Sequence, residues 1–105
     1  MVAMDFLPSV VERLVQGFDP RRIILFGSFA RGDAGPDSDL DLLVVVDEVV
    51  SKRRLAGDML DALSDLPVAK DVVVTTPDEI ARRGHVIGTV LEPALREGTL
   101  LYERG

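Results

Sequence analysis

One stretch constrains the fold more than any other. From Ile23 a short apolar run ends in Gly27-Ser28, ten residues follow (29 to 38), and Asp39-Leu40-Asp41 then opens a longer apolar run that reaches Val46. Short runs that are apolar on both faces and bounded by turn residues fit strands in the middle of a covered sheet. The first strand is expected over Arg22–Phe26 and the second over Leu40–Val46, with Gly27 breaking the first. Between them, Ser28 to Ser38 is rich in Gly, Asp and Pro and leaves room for one helical turn near Ser28–Arg31.

The flanking segments read as cover. Leu7, Val10, Val11, Leu14 and Val15 recur at helical spacing, with Pro8 in an early helical position and Gly17 as the expected stop. Ser51–Leu66 carries Leu55, Met59, Leu63 and Leu66 on one stripe and Asp58, Asp61 and Asp65 on another, and Pro67 ends it. Val68–Thr75 predicts a third strand. Thr76-Pro77-Asp78-Glu79 then fits a helix start, with Thr76 as cap, Pro77 at the first position and Glu79 closing a capping box. A last helical stretch, His85–Glu97, is interrupted or kinked by Pro93 and stops at Gly98, and Thr99–Glu103 closes the sheet as an edge strand. The expectation is one domain over residues 1–105, of the α/β (α+β) class, with a small mixed β-sheet covered by helices.

The acidic residues show what such a sheet is for. Side chains alternate along a strand, so Asp39 and Asp41 share a face and Leu40 takes the other. Asp71 opens the third strand, and Ser28 lies just past the end of the first. These positions meet at one sheet edge only if strand one is antiparallel to strand two and strand two parallel to strand three. The Ser51–Leu66 helix supplies the long crossover that a parallel pair requires.

Three clustered carboxylates repel: two unit charges about 4 Å apart cost roughly 4 kcal/mol at an effective dielectric near 20. Divalent cations remove that cost, and hard oxygen ligands suit Mg²⁺ or Mn²⁺ with substrate phosphates completing the shell. Two such ions, about 3.5–4 Å apart, would activate an attacking hydroxyl and stabilise a leaving pyrophosphate. Gly27 lets the backbone approach a ligand closely, and Ser28 offers a hydroxyl and an amide to phosphate oxygens. The turn is not a P-loop, because the Gly-Lys-Ser/Thr ending is absent.

Composition narrows the partners. With 18 acidic against 12 basic residues the net charge is −6, which disfavours direct nucleic-acid binding. There is no cysteine, so no disulfide, thiolate nucleophile or cysteine-ligated zinc. Met1–Leu7 has no secretory character and no apolar run approaches the roughly 20 residues that span a bilayer, so a cytoplasmic protein without membrane contact is expected. Other residues carry plainer expectations. Arg31 divides between contacting nucleotide or partner and pairing with Asp33 or Asp37. His85 is structural or surface, Lys52-Arg53-Arg54 a solvated face, and Tyr102 a packing residue.

Gly27-Ser28-Phe29-Ala30-Arg31-Gly32, through Ser38-Asp39-Leu40-Asp41-Leu42-Leu43, resembles the signature of the polymerase-β-like nucleotidyltransferase superfamily, Gly-Ser followed by ten residues and Asp-x-Asp. Lys70-Asp71-Val72-Val73 looks like that family's third-carboxylate strand. The chain is most similar to the minimal nucleotidyltransferases, typically antitoxins encoded beside a HEPN-domain toxin. The resemblance implies a nucleotidyltransferase fold and transfer of AMP from ATP to a tyrosine of a HEPN-domain toxin, in a hetero-oligomer. It also implies roles: Asp39 and Asp41 bind two Mg²⁺ ions, while Asp71 binds one and helps deprotonate the acceptor hydroxyl. Ser28 holds the terminal phosphates, with Gly27, Arg31 and Ser38 in the nucleotide-binding set. Two other functions stay open at this point, a small-molecule nucleotidyltransferase of the aminoglycoside type and a non-catalytic antitoxin that acts by binding alone.

Overall fold

The structure, a computed structural model, describes residues 3–84 and 91–105. A 3₁₀ turn over Ala3–Phe6 leads into α1 (Leu7–Phe18), followed by β1 (Arg22–Phe26), the single turn α2 (Ser28–Arg31) and β2 (Leu40–Val45). Then come α3 (Lys52–Ala62), β3 (Lys70–Thr75), α4 (Pro77–Arg83), α5 (Leu91–Glu97) and β4 (Thr99–Glu103). The four strands form one mixed sheet in the order β3-β2-β1-β4. β1 is antiparallel to β2 and β4, and β2 is parallel to β3, the combination that brings the acids together.

The central strands are buried on both faces, as their unbroken apolar runs require. On one face Leu40, Leu42 and Val44 join Ile23, Leu25, Val72 and Val74 against Val10 and Leu14 of α1 and Met59 of α3. On the other, Ile24 and Leu43 pack against Leu91 and Ala94 of α5. Each such branched side chain contributes about 1.5–3 kcal/mol by burial, so this core is what holds the sheet rigid. At the end of the sheet away from the acids, Asp47 accepts from Arg21 Nη1 at 2.9 Å and from Arg104 Nη2 at 2.7 Å. These contacts hold its carboxyl below the usual range, Arg104 contributing most.

Helix ends depart from expectation. Gly17 does not stop α1, which continues to Phe18 and is closed by Asp19 in the left-handed region (φ 47°), its N–H donating to Val15 O at 3.1 Å. Aspartate is one of the few residues other than glycine that tolerates this conformation. The crossover helix ends at Ala62 rather than Leu66. Its carbonyls are taken early, by Ser64 Oγ on Asp61 O at 2.8 Å and by Arg13 Nη1 on Ala62 O at 3.2 Å, while Leu63 turns into the core. Arg13 also pairs with Asp65 and so ties α1 to that turn.

The third strand starts at Lys70, two residues later than expected. Only half of the capping box forms: Thr76 Oγ1 accepts from Glu79 N at 3.2 Å. The Glu79 carboxylate turns to the buried Thr75 hydroxyl at 2.6 Å and to Lys52 Nζ at 2.7 Å, satisfying a polar group inside the fold. The expected helix over His85–Glu97 is observed from Leu91, and its first six residues, His85 included, lie outside the described residues. Among the described residues no helix is long and apolar enough to cross a membrane.

Candidate active site

The site is assembled where β1 ends and β2 and β3 begin. In the parallel β2–β3 pair Asp41 lies opposite Asp71, and in the antiparallel β1–β2 pair it lies opposite Phe26. Strand alternation puts Asp39, Asp41 and Asp71 on the face that carries Leu43 and Val73, the α5 side of the sheet. Asp39 and Asp71 are exposed and Asp41 is half-buried.

Gly27 is required twice. Its backbone is at φ 75°, and a Cβ on it would stand 2.3 Å from Asp41 Oδ2. The Asp41 carboxylate therefore lies against bare glycine on one side and beside Asp71 on the other. Burial, then the charges of Asp71 and Asp39, push the Asp41 carboxyl above its ordinary range, and Arg31 opposes them. Asp71 Oδ1 accepts from Val72 N at 3.0 Å, which orients it along its own strand.

Ser28 opens α2, and its hydroxyl has no hydrogen-bond partner among the described residues. Arg31 reaches two acids, Asp33 Oδ2 from Nε at 3.3 Å and Glu97 Oε2 from Nη1 at 3.9 Å. The expected pairing with Asp33 is thus present, and Asp37 is not involved. Ser38 Oγ accepts from Gly35 N at 2.9 Å and closes the 35–38 turn. Sequence reasoning missed Glu97, which no local pattern marks, because only the packing of α5 brings it to this edge.

A cavity of about 740 Å³ is not lined by Asp39, Asp41 or Asp71. It lies behind the loop, on the α1 side, between Phe6, Phe29, Pro36 and Pro67. The acid edge is open, and chemistry rather than concavity identifies it.

The residues suit a hard divalent cation. Among the described residues no three carboxylates or imidazoles are already closed into a cage that could hold a metal ion. Mg²⁺ is ordinarily held by one or two carboxylates together with substrate phosphates, so a row of acids open to solvent is a compatible geometry. Burial and, after it, repulsion from Asp71 and Asp39 raise the Asp41 carboxyl, and a cation would offset the charge that both penalise.

The raised carboxyl has a measurable consequence. A carboxyl whose pKa is raised on folding binds its proton more tightly when folded. Its contribution to stability is present at low pH and lost as pH rises from the ordinary carboxylate range through the raised value. In EDTA at pH 7, Asp41→Asn is expected to melt above wild type by a few degrees, since about 1 kcal/mol moves Tm by about 4–8 °C in a domain of this size. The gap should close as pH falls towards about 4. A variant that melts below wild type at pH 7 would remove the case for strain at Asp41.

Known proteins resemble this chain over most of its length. The nucleotidyltransferase domain model matches residues 7–96. A candidate protein adenylyltransferase of Methanocaldococcus jannaschii is 57% identical over 75 residues, covering 60% of this chain and 74% of that protein. The protein adenylyltransferase MntA of Thermococcus cleftensis is 34% identical over 74 residues, covering 65% and 75%. Among solved structures, a toxin–antitoxin complex with AMP-PNP shares the fold at a TM-score of 0.60 and 21% identity, covering 93% of this chain and 73% of that one.

Proposed function

The chain belongs to the nucleotidyltransferase domain family, and on that footing we propose that it is an antitoxin that transfers AMP from ATP to a tyrosine of a cognate HEPN-domain toxin in the cytoplasm. The observation that carries this reading is the contact of Asp41 with Gly27 on one flank and its register with Asp71 on the other. It joins a phosphate-binding turn to a carboxylate row in one rigid edge.

In this reading Asp39, Asp41 and Asp71 are the residues that would hold two Mg²⁺ or Mn²⁺ ions. Such cations would offset the carboxylate charge and supply Lewis-acid polarisation of the transferred phosphoryl group. Ser28, its hydroxyl uncommitted, binds the terminal phosphates with its Oγ and amide, and Gly27 keeps that approach free of a side chain. Asp71, exposed on the edge strand, takes the proton of the tyrosine hydroxyl as its oxygen bonds to the α-phosphorus and pyrophosphate leaves. Arg31 faces the same edge and supplies positive charge to the phosphates. Ser38 contributes by closing the turn that leads into Asp39.

The decisive experiment incubates the protein with α-labelled ATP, Mg²⁺ and the toxin encoded beside it. Label should appear on the toxin, and neutralisation without label would leave a binding module in its place. A partner-free measurement follows by linkage. At about 100 times Kd, Mg²⁺ and ATP together should stabilise the fold by about 2.7 kcal/mol, which is about 10 °C or more in Tm. A melt that neither ligand moves would count against the whole reading.

A further inference from the structure

Glu97 stands at the rim of the acid edge, although it comes from the far end of the chain. Its backbone is fixed there by its neighbour. A Cβ at Gly98 would lie 2.2 Å from Ala94 O and 2.4 Å from Ile24 Cγ2, so the end of α5 is pressed directly onto β1. Ile24 is three residues before Gly27, and the Gly-Ser turn and Glu97 therefore ride on the same piece of strand.

The Glu97 carboxylate is divided between two arginines. Oε1 accepts from Arg96 Nη1 at 3.1 Å, and Arg96 is itself held by Glu92 Oε1 at 2.6 Å from its Nε. That leaves Oε2 for Arg31, which also reaches Asp33. Glu97 is 32% exposed and Arg31 46%, so the pair is partly shielded yet can be parted without unfolding anything. Asp33, two residues along, takes the hydrogen bond from Arg31 Nε, whereas Glu97 reaches Nη1 from α5 and is the partner that ties Arg31 to another element.

We propose that Glu97 is a positioning residue that, from across the fold and together with the local Asp33, holds the Arg31 guanidinium at the rim, where it meets the polyphosphate of the incoming nucleotide instead of turning onto the acid row. This rests on the reading of the edge as a nucleotide site. The chain Glu92–Arg96–Glu97–Arg31 makes the last turn of α5 part of that site and couples the β4 side of the sheet to nucleotide affinity.

The test compares wild type with Glu97→Gln, Arg31→Gln, the double variant and Arg96→Gln, by two readouts. The first is the Kd of Mg²⁺-ATP by calorimetry. Glu97→Gln should weaken it about three- to fivefold, the range a partly exposed ion pair can supply. In the Arg31→Gln background the same change should add nothing, because residues acting through one another do not add. The second readout needs no ligand: the ¹⁵N relaxation of the Arg31 Nε–H in an Asp33→Ala background, where Nε has lost its own acceptor, ordered with Glu97 present, disordered in Glu97→Gln and intermediate in Arg96→Gln. Equal losses of affinity in both backgrounds, or an Arg31 Nε–H equally ordered without Glu97, would overturn the proposal. If wild type binds no Mg²⁺-ATP the nucleotide reading itself fails, whereas the relaxation data still report whether Glu97 holds Arg31.

Discussion

Asp39→Asn and Asp41→Asn are each expected to lower AMP transfer to the toxin on the order of a thousandfold. Charge stabilisation by a bound divalent cation supplies several kcal/mol at the transition state, and each 1.36 kcal/mol is a factor of ten in rate. An amide keeps the shape of the carboxylate and one acceptor oxygen but removes the charge that attracts the cation. The two variants should separate on stability. Asp39 is exposed, whereas Asp41 is half-buried between Gly27 and Asp71, and burial is the largest cause of its raised carboxyl. Asp41→Asn should therefore lose activity while gaining metal-free stability, and Asp39→Asn should lose activity with little change in melting. The combination of a dead enzyme and a firmer fold is the mark of a site that stores charge repulsion for its ligand. Transfer within tenfold of wild type by either variant would remove these carboxylates from the chemistry.

What the sequence reveals here follows from which physical signals are local. Arg22–Phe26 and Leu40–Val45 are legible because strands covered on both faces must be continuously apolar. The mixed topology is legible because carboxylates at strand starts can meet a Gly-Ser turn at a strand end in only one arrangement. Helix ends are less legible, since they depend on competition for a few carbonyls. Gly17 looks like a stop, yet Asp19 takes the left-handed position, and Ser64 claims the carbonyl that would have continued α3. Glu79 shows the same limit: its spacing to Thr76 is that of a capping box, but a buried hydroxyl and a lysine from another helix compete for its oxygens. Glu97 is illegible because it reaches this edge only where Gly98 lets α5 press onto β1.

Gly27→Ala carries the second large effect, and it separates backbone cost from site cost. At φ 75° and ψ −155° residue 27 occupies a region open to glycine and strained for any residue with a Cβ, a cost of order 1–3 kcal/mol. The Cβ would also stand 2.3 Å from Asp41 Oδ2 and 3.2 Å from its Cγ, so the carboxylate must leave its place. Rotating a half-buried aspartate costs the fold little and moves the proposed ligand away from Asp39 and Asp71. The expected result is a Tm lowered by several degrees, a transfer rate down at least a hundredfold, and loss of the Mg²⁺-dependent rise in melting. Gly32→Ala supplies the control: that glycine also has positive φ (81°), but nothing lies within 4 Å of its Cβ position, so it should lose stability alone and keep its response to Mg²⁺ and ATP. In an Asp41→Ala background the Gly27→Ala change should retain its backbone cost and have no further effect on metal response, because no carboxylate remains to be displaced. If Gly27→Ala transfers AMP within about threefold of wild type, the contact between the Gly-Ser turn and Asp41 is packing and not part of the site.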